Sequence, residues 1–142
     1  MIAKKELYAI PIFGRAMRAA EFIEVDRGDH QRAIESMKAA AAKLRSGVNV
    51  WIAPEGTRSA TGALGPFKKG GFVLALETRT RILPVTIVGT RDVLPLHAMQ
   101  VRRGQRVDAV FHPPIDPARY GWERRDELVD LVRRAIAGSL PD

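Results

Sequence analysis

Cysteine is absent from the 142 residues. Disulfides, thiol nucleophiles and cysteine-ligated metals are thereby excluded. Histidine occurs three times, at His30, His97 and His112, and the scatter offers no metal cluster. No metal site is expected. Long apolar runs are missing: none approaches the roughly 20 residues that a membrane-spanning helix needs. An apolar leader is missing as well, because Met1-Ile2-Ala3-Lys4-Lys5 carries charge where such a stretch should begin. The expected location is the cytoplasm, peripheral to the cytoplasmic face of the membrane. Aromatic residues make up only 6% and do not interleave with the basic ones. That argues against nucleic acid as a partner.

Apolar residues are plentiful, at 46%. They suffice for one core, and the length fits one domain over residues 1–142. The 23 Lys and Arg outnumber the 16 Asp and Glu, giving a formal net charge of +7. Such a surface suits anionic partners such as phospholipid headgroups or coenzyme phosphates. A plain solvated surface gives the same balance.

Helical and extended patterns alternate along the chain. Residues 11–20 read as a short helix with Pro11 near its first position, and residues 21–25 as a strand. Asp29 is placed to cap a helix running to Arg45, with Ile34, Met37, Ala41 and Leu44 on one face. Gly47 is its stop signal. Residues 48–53, VNVWIA, read as a buried strand. A loop rich in Gly and Pro follows. Residues 70–77 look helical, residues 82–89 read as a second buried strand and residues 106–112 as a third. Residues 122–140 form an amphipathic helix carrying Leu128, Leu131, Val132, Ala135 and Ile136. The expected class is α/β, with a mostly parallel sheet flanked by helices. In such sheets ligands gather in loops beyond the carboxyl ends of strands.

The loop after residues 48–53 reads Ala53-Pro54-Glu55-Gly56-Thr57-Arg58-Ser59. It groups a carboxylate, a glycine, a hydroxyl and a guanidinium. Gly56 permits a turn and close approach of a ligand. Arg58 can grip a phosphate through two parallel hydrogen bonds. Glu55 can orient that arginine or accept a bond from a substrate hydroxyl. A surface turn with a Glu–Arg ion pair is the plain alternative.

PEGTRS resembles the third conserved block of the glycerolipid acyltransferases, the family of the lysophosphatidic-acid and glycerol-3-phosphate acyltransferases. Other blocks occur in the family's order. Lys4-Lys5-Glu6-Leu7 followed by Pro11-Ile12-Phe13-Gly14 is similar to the KKEL…P-x-FG segment. Gly14, with Glu21-Phe22-Ile23-Glu24-Val25-Asp26-Arg27 beyond it, resembles the second block. Phe67-Lys68-Lys69-Gly70 resembles the FKKG segment, and Leu83-Pro84-Val85 the fourth block. The likeness covers residues 3 to about 116.

The resemblance implies a glycerol-3-phosphate acyltransferase-like fold and transfer of a fatty acyl group. The donor is acyl-CoA or acyl carrier protein, and the acceptor is a hydroxyl of lysophosphatidic acid or a related glycerol phosphate. No cofactor is implied beyond the donor. In the family a histidine takes the hydroxyl's proton, an aspartate orients it, and the alkoxide attacks the thioester. Arg27 and Arg58 are the positions implied to hold the acceptor phosphate, with Glu55, Gly56 and Thr57 shaping the pocket. Gly14, Lys68 and Pro84 are secondary candidates: Lys68 either touches a coenzyme or lipid phosphate or is simply solvated, and Pro84 is implied to support the site or line the acyl path. The implied partners are the donor thioester, a lyso-phospholipid and an anionic membrane surface.

One departure is serious. The family's first block, NHxSxxD, should precede Lys4, and no H-x-x-x-x-D occurs in the 142 residues. The expectation is a core missing its N-terminal elements and inactive as it stands. A non-catalytic remnant that binds lipid phosphates is the alternative. His30 and Glu35 have the separation of the missing pair, but in an ideal helix their side chains lie about 140° apart. No GxxxxGK[ST] or GxSxG string is present, so a P-loop and a serine-hydrolase elbow are both unsupported. The basic face of residues 122–140 either meets anionic lipid or simply covers the sheet.

Overall fold

The computed structural model describes residues 1–25, 30–59, 61–95, 98 and 100–141. Contacts divide the chain into two compact units, Met1–Ala53 and Pro54–Asp142.

The first unit opens with strand β1, Ile2–Lys4, which pairs in parallel with β2, Ile23–Val25. Parallel neighbours need a crossover. Here it consists of a 3-10 turn over Lys5–Ala9 and helix α1, Phe13–Ala19. Gly14 makes that packing possible. A Cβ added there would lie 2.2 Å from the Tyr8 carbonyl oxygen, so only glycine lets α1 lie on the turn. Tyr8, Met17 and Ala3 form the small core, with Phe22 against it. Burial raises the pKa of the Tyr8 phenol, reinforced by the nearby Glu24 carboxylate.

Helix α2, His30–Arg45, docks on β2 through the Ser36 hydroxyl, which lies 2.6 Å from the Glu24 carbonyl and 2.8 Å from the Arg32 carbonyl of its own helix. Of its expected apolar face, Ala41 is buried, Met37 and Leu44 are half-buried, and Ile34 is exposed. Asp29, the expected cap, lies outside the described residues. Gly47 stops the helix as expected. It takes φ +86°, its N–H bonds Leu44 O at 3.0 Å, and the Val48 N–H reaches back to Lys43 O at 3.0 Å. That pair of bonds satisfies carbonyls the helix leaves open.

In the second unit, helix α3, Gly70–Thr78, is followed by β3, Val85–Val88, and a single turn, α4, Thr90–Val93. Strand β4, Asp108–Phe111, pairs antiparallel with β3. Helix α5, Arg125–Ala137, closes the unit. Leu128 and Val132 of α5 are buried against Phe72 of α3, and the Phe67 and Phe72 rings stack at 6.3 Å. The apolar stripe of α5 therefore covers the unit's own core.

Thr86 on β3 is almost fully buried and polar. Its Oγ1 lies 2.9 Å from the Ile136 carbonyl and 2.8 Å from His112 Nε2. A hydroxyl has one proton, and a carbonyl only accepts. Thr86 thus donates to Ile136, and His112 Nε2–H donates to Thr86. The three groups tie the end of α5 to the sheet.

The α/β class stands, with one parallel and one antiparallel strand pair among the described residues. The buried strand expected at 48–53 is corrected. That segment forms no strand, and Val48 and Trp51 are 47% and 43% exposed. An apolar run marks a preference for cover, but a strand also needs a neighbouring backbone. Here a single bond, Ile2 N–H to Trp51 O at 3.1 Å, links it to β1. The strand expected at 82–89 is shorter, and its Leu83 and Ile87 remain exposed because only one face, that of Thr86, is covered. An isolated bridge between Ile82 and Ile115 continues the pairing below β3.

Candidate acceptor-phosphate site

The PEGTRS loop is held from inside. At its base, the Lys68 N–H bonds the Pro54 carbonyl at 2.7 Å. Above that, the Gly65 N–H donates to Glu55 Oε2 at 2.7 Å. A Cβ on residue 65 would stand 3.0 Å from the same oxygen. Gly56, buried, turns the chain at φ +73°. Ser59 Oγ accepts from the Gly62 N–H at 2.9 Å and donates to Ala63 O at 2.8 Å. Two arginines brace the outer carbonyls: Arg133 of α5 donates to Leu64 O at 2.8 Å, and Arg91 of α4 to Thr61 O at 2.6 Å.

This bracing leaves Thr57 and Arg58 exposed. Among the described residues, no hydrogen bond or ion pair engages the Arg58 guanidinium. The Lys68 ammonium is likewise exposed and unengaged. Its neighbour Lys69 is committed to Asp126 at 2.9 Å. The hydrogen bond from Lys69 lowers the Asp126 pKa below the usual carboxylate range. The arrangement is a stiff loop presenting one bidentate cation, one hydroxyl and a nearby ammonium to solvent. Such a set is suited to a phosphate.

The other candidate residues take these places in the structure. Glu55 forms no ion pair with Arg58; its carboxylate spends one oxygen on Gly65, and its place is inside the loop. Gly14 acts through close packing on Tyr8. Pro84 is buried, and its carbonyl accepts from the His112 N–H at 3.0 Å, extending the β3–β4 ladder. Arg27 lies outside the described residues. Arg133, on the basic face of the C-terminal helix, braces the loop. Neither Arg133 nor Arg91 carried a local signal, since each meets the loop across a long stretch of chain. A shallow cleft of ≈ 340 Å³ in the first unit is lined by Met1, Ala20, Glu21, Ile23, Lys43 and Val48 among others, and includes none of the candidate residues.

The family model described as Acyltransferase matches residues 1–88. The chain belongs to this acyltransferase family. It is 34% identical over 139 residues to a chloroplastic 1-acyl-sn-glycerol-3-phosphate acyltransferase of Brassica napus, covering 98% of this chain and 39% of the relative. A 1-acyl-sn-glycerol-3-phosphate acyltransferase of Borreliella burgdorferi is 33% identical, with 99% and 56% covered. The crystal structure of the 1-acyl-sn-glycerophosphate acyltransferase PlsC of Thermotoga maritima superposes with a TM-score of 0.81 at 32% identity, over 98% of this chain and 54% of that one. The acyltransferase chain thus spans about half the length of the relatives it matches. No helix among its described residues is long and apolar enough to cross a membrane.

Proposed function

We propose that this chain forms the acceptor-binding part of an acyltransferase of phospholipid synthesis. It would receive the phosphate of lysophosphatidic acid or a related glycerol phosphate while an acyl group passes from acyl-CoA or acyl carrier protein to the acceptor's hydroxyl. The observation that carries the reading is the state of Arg58. It stands exposed and unengaged on a loop whose Glu55 and Ser59 side chains hold it in shape. A loop braced by Glu55, Ser59, Arg91 and Arg133 loses little further freedom when an anion binds. Arg27, by its place in the second block, is the other cation that the resemblance implies for phosphate binding. Gly56 shapes the turn, Thr57 supplies a hydroxyl beside Arg58, and Lys68 adds charge. The names of the relatives support the acceptor class. The enzyme would work at the cytoplasmic face of a membrane, where its acceptor resides.

Arg58→Lys tests this in a version that also carries an NHxSxxD block. Lysine keeps the charge and loses the paired hydrogen bonds. Acceptor use should weaken by about 1–3 kcal/mol, the scale of a lost charge-assisted bond, with the KM for the acyl donor unmoved. Unchanged acceptor kinetics would remove Arg58 from the phosphate site.

A second reading has its own observation: no H-x-x-x-x-D lies within the 142 residues. On that reading the chain binds lipid phosphates without transferring acyl groups. An in-frame NHxSxxD segment in the coding sequence before Met1 decides for the enzyme.

A further inference from the structure

The turn between the Lys5–Ala9 segment and α1 holds apolar side chains in water. Ile12 is 82% exposed, Phe13 50%, Ile10 47% and Leu7 37%. Ile12 also has a costly backbone. It sits at φ 67°, ψ −55°, the centre of a γ-turn closed by the Phe13 N–H on Pro11 O at 2.7 Å. This positive-φ γ-turn is rare and strained, more so for a β-branched residue. Burial of its own side chain does not offset that strain. Gly14 anchors the turn from below through its tight contact with Tyr8, so the strained residue is held outward on a fixed base.

Basic residues flank the tip along the chain. Lys4, Lys5, Arg15 and Arg18 stand in the same stretch of chain against Glu6 alone. Lys4 and Arg15 are exposed, and the Arg18 guanidinium lies over the Tyr8 ring at 5.3 Å from its centroid. A few apolar side chains at a protruding tip are too small a surface for a stable protein interface. An apolar tip with basic side chains behind it matches a lipid interface, where the tip enters the acyl boundary and the cations meet anionic headgroups.

We propose that the Ile10–Pro11–Ile12–Phe13 turn is a prong that inserts into an anionic bilayer. The inference deepens the reading above by naming the element that brings the chain to its lipid. It is tested without lysophospholipid or thioester, so its failure leaves the phosphate site standing.

The test is sedimentation of the 142-residue chain with vesicles of equal parts phosphatidylcholine and phosphatidylglycerol, and with vesicles of phosphatidylcholine alone. The chain should bind the mixed vesicles and bind the neutral ones more weakly. Ile12→Gly should reduce binding about tenfold, from the lost apolar contact. Because glycine accepts positive φ without strain, the same variant should unfold in urea at the wild-type concentration or higher, which separates lipid contact from folding. Phe13→Trp should shift its emission to the blue on the mixed vesicles and be quenched by brominated lipid. The proposal is overturned by no binding by the wild-type chain, by equal binding by Ile12→Gly, or by loss of binding on Arg134→Glu in α5 with the Ile12 variant unaffected. Loss of self-association in Ile12→Gly, without a change in vesicle binding, would assign the prong to a second copy of the chain and overturn it equally.

Discussion

The Glu55 carboxylate accepts the Gly65 N–H at 2.7 Å, ten residues along the chain, and that bond closes the PEGTRS loop from inside. Removing the carboxylate leaves a partly buried N–H without its partner. Glu55→Ala should cost about 1–2 kcal/mol in urea unfolding, toward the low end for a bond to a charged group because the site is only partly buried. Glu55→Gln keeps an acceptor oxygen and should recover most of that. Amide exchange at Gly65 gives a second readout. It should speed up in the alanine variant and stay slow in the glutamine one. Equal effects of the two substitutions would show that packing, not the hydrogen bond, holds the loop.

The Thr86 hydroxyl serves two partners at once, donating to Ile136 O and accepting from His112 Nε2–H. Valine matches threonine in shape but offers neither function. Thr86→Val should destabilise the second unit by about 1–3 kcal/mol, because it strands a carbonyl and a ring N–H in a covered place. Thr86→Ser keeps the hydroxyl and should cost less. Chemical denaturation of the two variants beside the wild type checks the order. A valine variant as stable as the wild type would mean that water replaces the hydroxyl.

Lys69 and Asp126 join the FKKG segment to the start of α5. The hydrogen bond from Lys69, followed by its charge, lowers the pKa of Asp126 in the folded chain. A depressed carboxyl pKa adds stability above the unfolded value, about 3.9, and that stability is lost as pH falls through the lower folded value. Both groups are open to solvent, so the contribution should be small and screened by salt. Asp126→Asn should flatten the acid limb of the stability profile slightly at low salt and not at all at high salt. Thermal melts between neutral and acidic pH measure it. A flattening that survives high salt would show the pair to be better shielded than its exposure indicates.

Local signals in the sequence were good guides to local structure. Gly47, a lone glycine after a periodic run, marks the helix stop because only positive φ lets Val48 reach back to Lys43. The stripe Leu128, Val132 and Ile136 marks the covered face of α5 for the same kind of reason: helical spacing puts those residues on one side. Residues 48–53 misled because composition reports a preference for cover and says nothing about which backbone lies alongside. At the site, the type and order of Glu55, Gly56 and Arg58 were legible, while their division of labour was not. Whether Glu55 turns toward Arg58 or toward Gly65 depends on where the chain comes back ten residues later. The bracing by Arg91 and Arg133 depends on contacts 30 and 69 residues away. No window of sequence short enough to read contains them.

The 142 residues by themselves should not turn over. Acyl transfer to an alcohol requires removal of a proton that is not acidic near neutral pH, and a positioned base contributes about 10²–10⁴-fold. No H-x-x-x-x-D pair is present to supply one. The other candidates have different work. His112 Nε2 is tied to Thr86 within the sheet–helix junction, so its proton secures structure. Glu55 has an oxygen committed to Gly65, and a carboxylate is a poor base for an alcohol. His30 follows the second block, where the family's order calls for the base ahead of Lys4. A thioester-release assay with acyl-CoA and lysophosphatidic acid should therefore find no useful turnover from this chain. A version extended by an NHxSxxD block should turn over and lose activity when that block's histidine becomes alanine. Robust turnover by the 142-residue chain, abolished by His30→Ala or His112→Ala with folding intact, would place the base within the residues described here and overturn this assignment.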